Sequence, residues 1–224
     1  MAVFVLVPGA FSGGRTWSRV TRLLRGEGHT VFAPSLTGLG DRVHLAGPQV
    51  DLSTQIRDVA GLIEYEDLQN VVLAGHSYGG IVIAGVADVM PERIAQLVFV
   101  DALLPADGES FWSMSGGKPG LPNEGAWLIP GPQQQRGLSP QPRGTFEEGV
   151  RITVPLAERP FGRAFIRAGL RPPSTAPSPG KAVDAAAVRT RNHPAWRYFE
   201  LPCGHAIASE MPRELASILA GLAL

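Results

Sequence analysis

The chain has 224 residues, 44% of them apolar, and a formal net charge of zero. That size suits one domain with a sizeable core, and that composition excludes a disordered chain. Neutrality without a basic stripe argues against nucleic acid as a partner, and no apolar run reaches bilayer length, so a soluble cytoplasmic protein without membrane contact is expected.

Met1 to Ala10 is apolar but lacks the basic flank of a signal peptide. Within it Val3 to Val7 is a continuous apolar run, as a strand buried on both faces requires. Thr16 to Gly26 reads as a helix with Trp17, Val20, Leu23 and Leu24 on one face. Thr30 to Ala33 is a second strand closed by Pro34, and Leu36 to Gly47 a Gly-rich loop. Asp51 to Glu66 is a helix that Asp51 can cap, its buried stripe formed by Leu52, Ile56, Val59, Leu62 and Ile63. Val71, Val72 and Leu73 form a third strand, and Ile81 to Met90 a buried helix. Ala95 to Asp101 is the fourth strand.

From about Leu104 to Pro160 Pro, Gly and Gln dominate, and the segment is too long for a simple connection. It reads as an inserted lid with short helices around Gly144 to Ala157. Regular patterning resumes with a strand at Arg163 to Ala168, a Pro- and Ser-rich loop at Arg171 to Gly180, and a helix at Lys181 to Arg191. A last strand, Trp196 to Leu201, and a closing helix, Ala208 to Leu222, complete the chain. Alternating strands and helices imply an α/β fold: a mostly parallel sheet of about six strands with helices on both faces. The lid is read as an excursion within one domain, 1–224.

The most informative stretch is Gly75-His76-Ser77-Tyr78-Gly79-Gly80, between the third strand and the following helix. Gly-x-Ser-x-Gly in that context is a nucleophile elbow, a tight turn that lifts the serine hydroxyl above the sheet. A serine hydroxyl needs a base to take its proton. His205 follows the last strand in a short loop, Pro202-Cys203-Gly204-His205, and the order Ser first and His last fits. His76, inside the elbow, reads as a packing or positioning residue. His44 is placed to reach the mouth of the site, and His29 and His193 read as surface turn residues. The single cysteine, Cys203, excludes an intrachain disulfide and reads as a small residue packed at a strand end.

A tetrahedral oxyanion needs two backbone donors. The amide of Tyr78, after the nucleophile, is one. Ala10, in the loop Pro8 to Gly14 after the first strand, is assigned the other. That loop has no G-x-G-x-x-G pattern, which argues against a dinucleotide. A carboxylate should orient His205. Its usual place, Gly169 to Gly180, contains no Asp or Glu. Asp101, at the end of the strand after the elbow, is the best substitute; Asp107, Glu109 and Asp184 stay open, as does the absence of any acid.

These pieces together resemble the α/β-hydrolase superfamily, and within it the small methylesterase and hydroxynitrile-lyase-like group that includes bacterial carboxylesterases. The matching segments are Phe4 to Trp17, Ser35 to Leu45, Leu73 to Gly80, Val98 to Ser110, and Trp196 to Leu222, spread along the chain on both sides of the lid. The resemblance implies a Ser77–His205 couple, an oxyanion hole from Ala10 and Tyr78, and no metal or cofactor. Pro8 stands where that group usually has histidine, and the acid after the penultimate strand is missing. The expected activity is a serine hydrolase acting on a small, mostly apolar carboxylic ester or lactone, with Phe111, Trp112, Trp127 and Phe146 of the lid lining the pocket. A homodimer is left open. A lyase or tailoring enzyme and a non-catalytic receptor are the alternatives on the same fold. A cyanohydrin lyase would want a lysine near the pocket, and only Lys118 and Lys181 exist.

Overall fold

The computed structural model describes residues 1–117, 125–131, 138–170 and 179–223. Six parallel strands form one sheet: β1 (Val3–Val7), β2 (Thr30–Phe32), β3 (Val71–His76), β4 (Ile94–Val100), β7 (Gly162–Ala168) and β8 (Arg197–Leu201). Their order is β2-β1-β3-β4-β7-β8, and every neighbouring pair is parallel. β5 (Leu128–Ile129) and β6 (Gln141–Pro142) form a separate two-residue antiparallel pair.

The continuous apolar runs follow from burial on both faces. Alternate residues enter two different cores. Val5, Val7, Leu73, Leu97, Phe99 and Phe165 face one, packed with α2 (Leu52–Tyr65), α3 (Gly79–Val89) and α6 (Pro179–Arg191). Phe4, Leu6, Val72, Val98, Val100 and Ile166 face the other, packed with α1 (Ser18–Gly26), α7 (Ile207–Glu210) and α8 (Pro212–Leu222). α2 starts where expected, because the Asp51 side chain accepts from the Thr54 amide at 2.7 Å. α3 lies on the central strands and is apolar nearly all round, as a fully covered helix must be.

Three elements differ from the sequence reading. The helix at Thr16 begins as a 3-10 turn, Gly14–Trp17, before α1. The Gly-rich loop contains a 3-10 turn, Gly40–Leu45. The closing helix is two helices, because Met211 leaves helical geometry (φ −129°) and Pro212 starts α8 afresh.

The stretch between β4 and β7 holds α4 (Phe111–Ser115), the β5–β6 pair, α5 (Gly144–Glu147) and a 3-10 turn at Leu156–Glu158. Trp112, Phe146, Val150 and Leu156 from this stretch join the core of the α2–α3 face. No helix among the described residues is long and apolar enough to cross a membrane. Phe99 is wholly buried in mid-sheet against Trp196, with ring centroids 5.6 Å apart. Phe99→Ala is therefore expected to lower unfolding free energy by about 3–5 kcal/mol, seen as a lower urea midpoint at unchanged slope.

Candidate active site

The C-terminal ends of β1 and β3 and the loop after β8 converge on a cavity of about 390 Å³. Its lining includes Ala10 and Phe11 after β1, His76 and Ser77 at the end of β3, and His205 after β8. Ser77 has φ +54°, a left-handed conformation that a serine adopts only under local constraint. Two glycines allow it. A Cβ on Gly75 would lie 2.5 Å from the Gly79 carbonyl oxygen, and one on Gly79 would lie 2.7 Å from that of Pro8. The Ser77 carbonyl accepts from the Gly80 and Leu103 amides at 3.1 and 3.0 Å, which fixes the turn.

Among the described residues, three of the five non-glycine positions with positive φ belong to this site: Phe11 (+61°), Ser77 and Asp101 (+42°). Strained backbone of this kind costs about 1–3 kcal/mol per residue and collects where geometry serves function. The strain at Phe11 is held by groups from the stretch between β4 and β7. Its amide donates to Gln141 Oε1 at 2.7 Å, and its carbonyl accepts from the Ser139 amide at 2.7 Å. Gln141 is fully buried and donates in turn to Thr145 at 2.8 Å.

Asp101 is fully buried immediately after β4, and His205 Nδ1 lies 2.6 Å from its Oδ2. A carboxylate facing Nδ1 leaves Nε2 of a neutral ring as the proton acceptor. The other acids considered are engaged elsewhere. Asp107 accepts from the Ile152 amide, Glu109 from the Ala106 amide, and Asp184 pairs with Arg167. Of the Pro- and Ser-rich loop, residues 171–178 lie outside the described residues, as does Lys118. Lys181 is exposed on α6.

The amides of Ala10 and Tyr78 have no hydrogen-bond acceptor among the described residues. Tyr78 is adjacent to the start of α3, where the helix dipole favours negative charge. Its ring is buried, with the hydroxyl donating to Gln55 at 2.7 Å, and burial pushes its pKa up. Among the described residues no cluster of three His, Cys, Asp or Glu side chains could hold a metal ion.

His76 also lines the cavity, its Nε2 2.8 Å from the His205 carbonyl oxygen and its ring 4.6 Å from that of His205. A carbonyl only accepts, so His76 must donate from Nε2. Burial and then the neighbouring His205 lower its pKa to about 4. His44 is exposed and does not line the cavity. His193 is exposed, but His29 is partly buried: it accepts from the Ala2 amide at 3.2 Å and meets Phe4 edge-on. Cys203 is buried, which raises its thiol pKa.

Of the four aromatics expected to line the pocket, Phe111 does so. Phe146 is buried behind it, stacked at 4.3 Å, Trp112 is buried in the core, and Trp127 is partly exposed away from the cavity. The sequence pointed to neither Gln141, which sits in a low-pattern Pro- and Gln-rich segment, nor Arg167, which contacts Asp101. For Arg167 a signal existed: a charge inside the otherwise buried run Ala164 to Ala168.

A family profile for the alpha/beta hydrolase family matches residues 4–218. The chain is 37% identical over 246 aligned positions to a carbendazim hydrolyzing esterase of Nocardioides sp. (strain SG-4G), covering 99% of this chain and 100% of that one. A pyrethroid hydrolase of Sphingobium wenxiniae is 36% identical over 126 residues, 54% of this chain and 42% of that one. Among solved structures, an extracellular alpha/beta-hydrolase from a Paenibacillus species superposes with a TM-score of 0.80 at 21% identity, covering 99% of each chain. A pyrethroid hydrolase from Sphingobium faniae superposes at 0.73 with 25% identity, over 99% of this chain and 97% of that one. The chain belongs to the α/β-hydrolase family, within its esterase group.

The lowered pKa of His76 has a consequence for stability. Below pH 6.5 the unfolded chain takes up a proton that the native His76 refuses until about pH 4, so stability is lost as pH falls through that window. Urea midpoints at pH 7.5 and 4.5 should fall further for the wild type than for His76→Gln, whose amide can still donate to the His205 carbonyl.

Proposed function

We propose that the chain is a serine esterase that hydrolyses a small, mostly apolar carboxylic ester through an acyl-enzyme on Ser77. The observation that carries this reading is the 2.6 Å contact between Asp101 and His205 beside the cavity that Ser77 lines. His205 takes the Ser77 proton as Oγ attacks the carbonyl. Asp101 stabilises the imidazolium that forms, and the amides of Ala10 and Tyr78 receive the developing oxyanion. His205 then returns the proton to the departing alcohol. Water, deprotonated by the same histidine, releases the acid.

The cavity's character supports an uncharged substrate. Gly9, Ala10, Phe11, Trp17, Phe111 and Leu138 form part of its wall, and no Asp, Glu, Lys or Arg lines it among the described residues. Its volume suits a molecule of one or two rings or a short acyl chain. The nearly full-length likeness to a carbendazim hydrolyzing esterase, and the partial likeness to a pyrethroid hydrolase, favour ester hydrolysis as the reaction. The segment 104–160 serves as a lid whose Phe111 closes one side, and whose Gln141 and Ser139 hold the oxyanion loop in place. The whole of 1–224 then acts as one domain.

Hydrolysis of p-nitrophenyl esters of graded chain length tests the reading. The wild type should turn over short esters, and Ser77→Ala should lose about 10⁴-fold or more in kcat while folding normally. A folded wild type without turnover on any of them would shift the assignment to a ligand-binding or specialised role.

A further inference from the structure

Arg167 stands on β7, on the face covered by α6, with 12% of its side chain exposed. One end of its guanidinium, Nη1, donates to Asp101 Oδ1 at 2.9 Å and to the Ala168 carbonyl at 3.1 Å. The other, Nη2, donates to Asp184 Oδ1 on α6 at 2.5 Å. The Ala168 amide also donates to Asp101 Oδ1, at 3.2 Å. Asp101 Oδ1 is thus held from β7, and Oδ2 faces His205.

We propose that Arg167 is a positioning residue for the reaction. It clamps Asp101 so that one carboxylate oxygen stays turned toward His205, and Asp184 locks the clamp. The inference rests on the reading of Ser77, His205 and Asp101 as the catalytic triad. Three observations carry it. Asp101 departs from β4 in a left-handed conformation (φ +42°), so its backbone alone fixes an unusual exit for the side chain. The carboxylate is fully buried, and a buried carboxylate without a cation or hydrogen-bond donors is strongly disfavoured. The planar fork of an arginine reaches two carboxylates at once in fixed directions, which a lysine cannot reproduce. The arrangement also accounts for the departure in sequence. With no acid in the stretch Gly169 to Gly180, Asp101 takes its place from the neighbouring strand, and β7 contributes a cation that holds it.

The test is a double-mutant cycle read by kcat and KM separately, with p-nitrophenyl acetate as the probe and folding checked by circular dichroism. Asp101→Asn alone tests the underlying triad reading: near-wild-type kcat in that variant would remove the triad, whatever Arg167 does. With kcat of Asp101→Asn strongly lowered but still measurable, Arg167→Met in the wild-type background should lower kcat about 10- to 100-fold, as a displaced catalytic group does, with KM changed less than about threefold. Arg167→Lys should recover part of that loss. Asp184→Asn should lower kcat less than Arg167→Met. In the Asp101→Asn background Arg167→Met should change kcat by less than about twofold, because the residue it acts through is already gone. Wild-type kcat in folded Arg167→Met would overturn the proposal, as would the same fold-loss in both backgrounds. If Arg167→Met fails to fold, Arg167→Lys and Asp184→Asn decide on the same cycle, and full kcat in both would overturn it.

Discussion

The site depends on one contact, the hydrogen bond between Asp101 and His205 across the end of the parallel sheet. His205 leaves β8 in a short loop and still has 43% of its side chain exposed, so packing alone does not fix its ring. The buried carboxylate does. It sets the Nδ1 side of the ring inward and leaves the opposite nitrogen for the cavity that Ser77 lines. His76 braces the same loop from below through the His205 carbonyl. Burial keeps His76 neutral near pH 7, so it places no positive charge beside the His205 ring.

The sheet topology brings these groups to one end of the fold. β3 and β4 are adjacent and parallel, so Ser77 and Asp101 leave the sheet at the same edge. β7 lies next to β4 and β8 next to β7, which brings Arg167 and His205 to the same end. The backbone supplies strain at three of these points, Phe11, Ser77 and Asp101, and the surrounding hydrogen bonds over-determine each one. Stability elsewhere, from two apolar layers on the two faces of the sheet, supports those strained residues.

The fold was legible in the sequence because parallel strands buried on both faces read as apolar runs. Val3 to Val7 matched to the residue, and α2 and α3 to within two residues at either end. The elbow was legible for a steric reason: only glycine fits at 75 and 79. What stayed hidden depends on contacts between distant segments. Gln141 carries no pattern that announces its bond to the Phe11 amide 130 residues away. The aromatics of the segment after β4 were visible, but which of them faces the cavity was not, since Phe111 and Phe146 stack on each other and only packing order separates them. The break at Met211 escaped the reading of Ala208 to Leu222 as one helix, although Pro212 is the signal for a fresh helix start.

The proposed chemistry requires that Ser77 be the nucleophile and that His205 activate it. Covalent labelling by a fluorophosphonate at pH 7.5, followed by mapping of the modified peptide, tests it most directly. The account predicts one label per chain, on Ser77, formed at least about 10²-fold more slowly in His205→Ala, as loss of a general base implies. A folded wild type that takes no label, or a label on another residue, would contradict it.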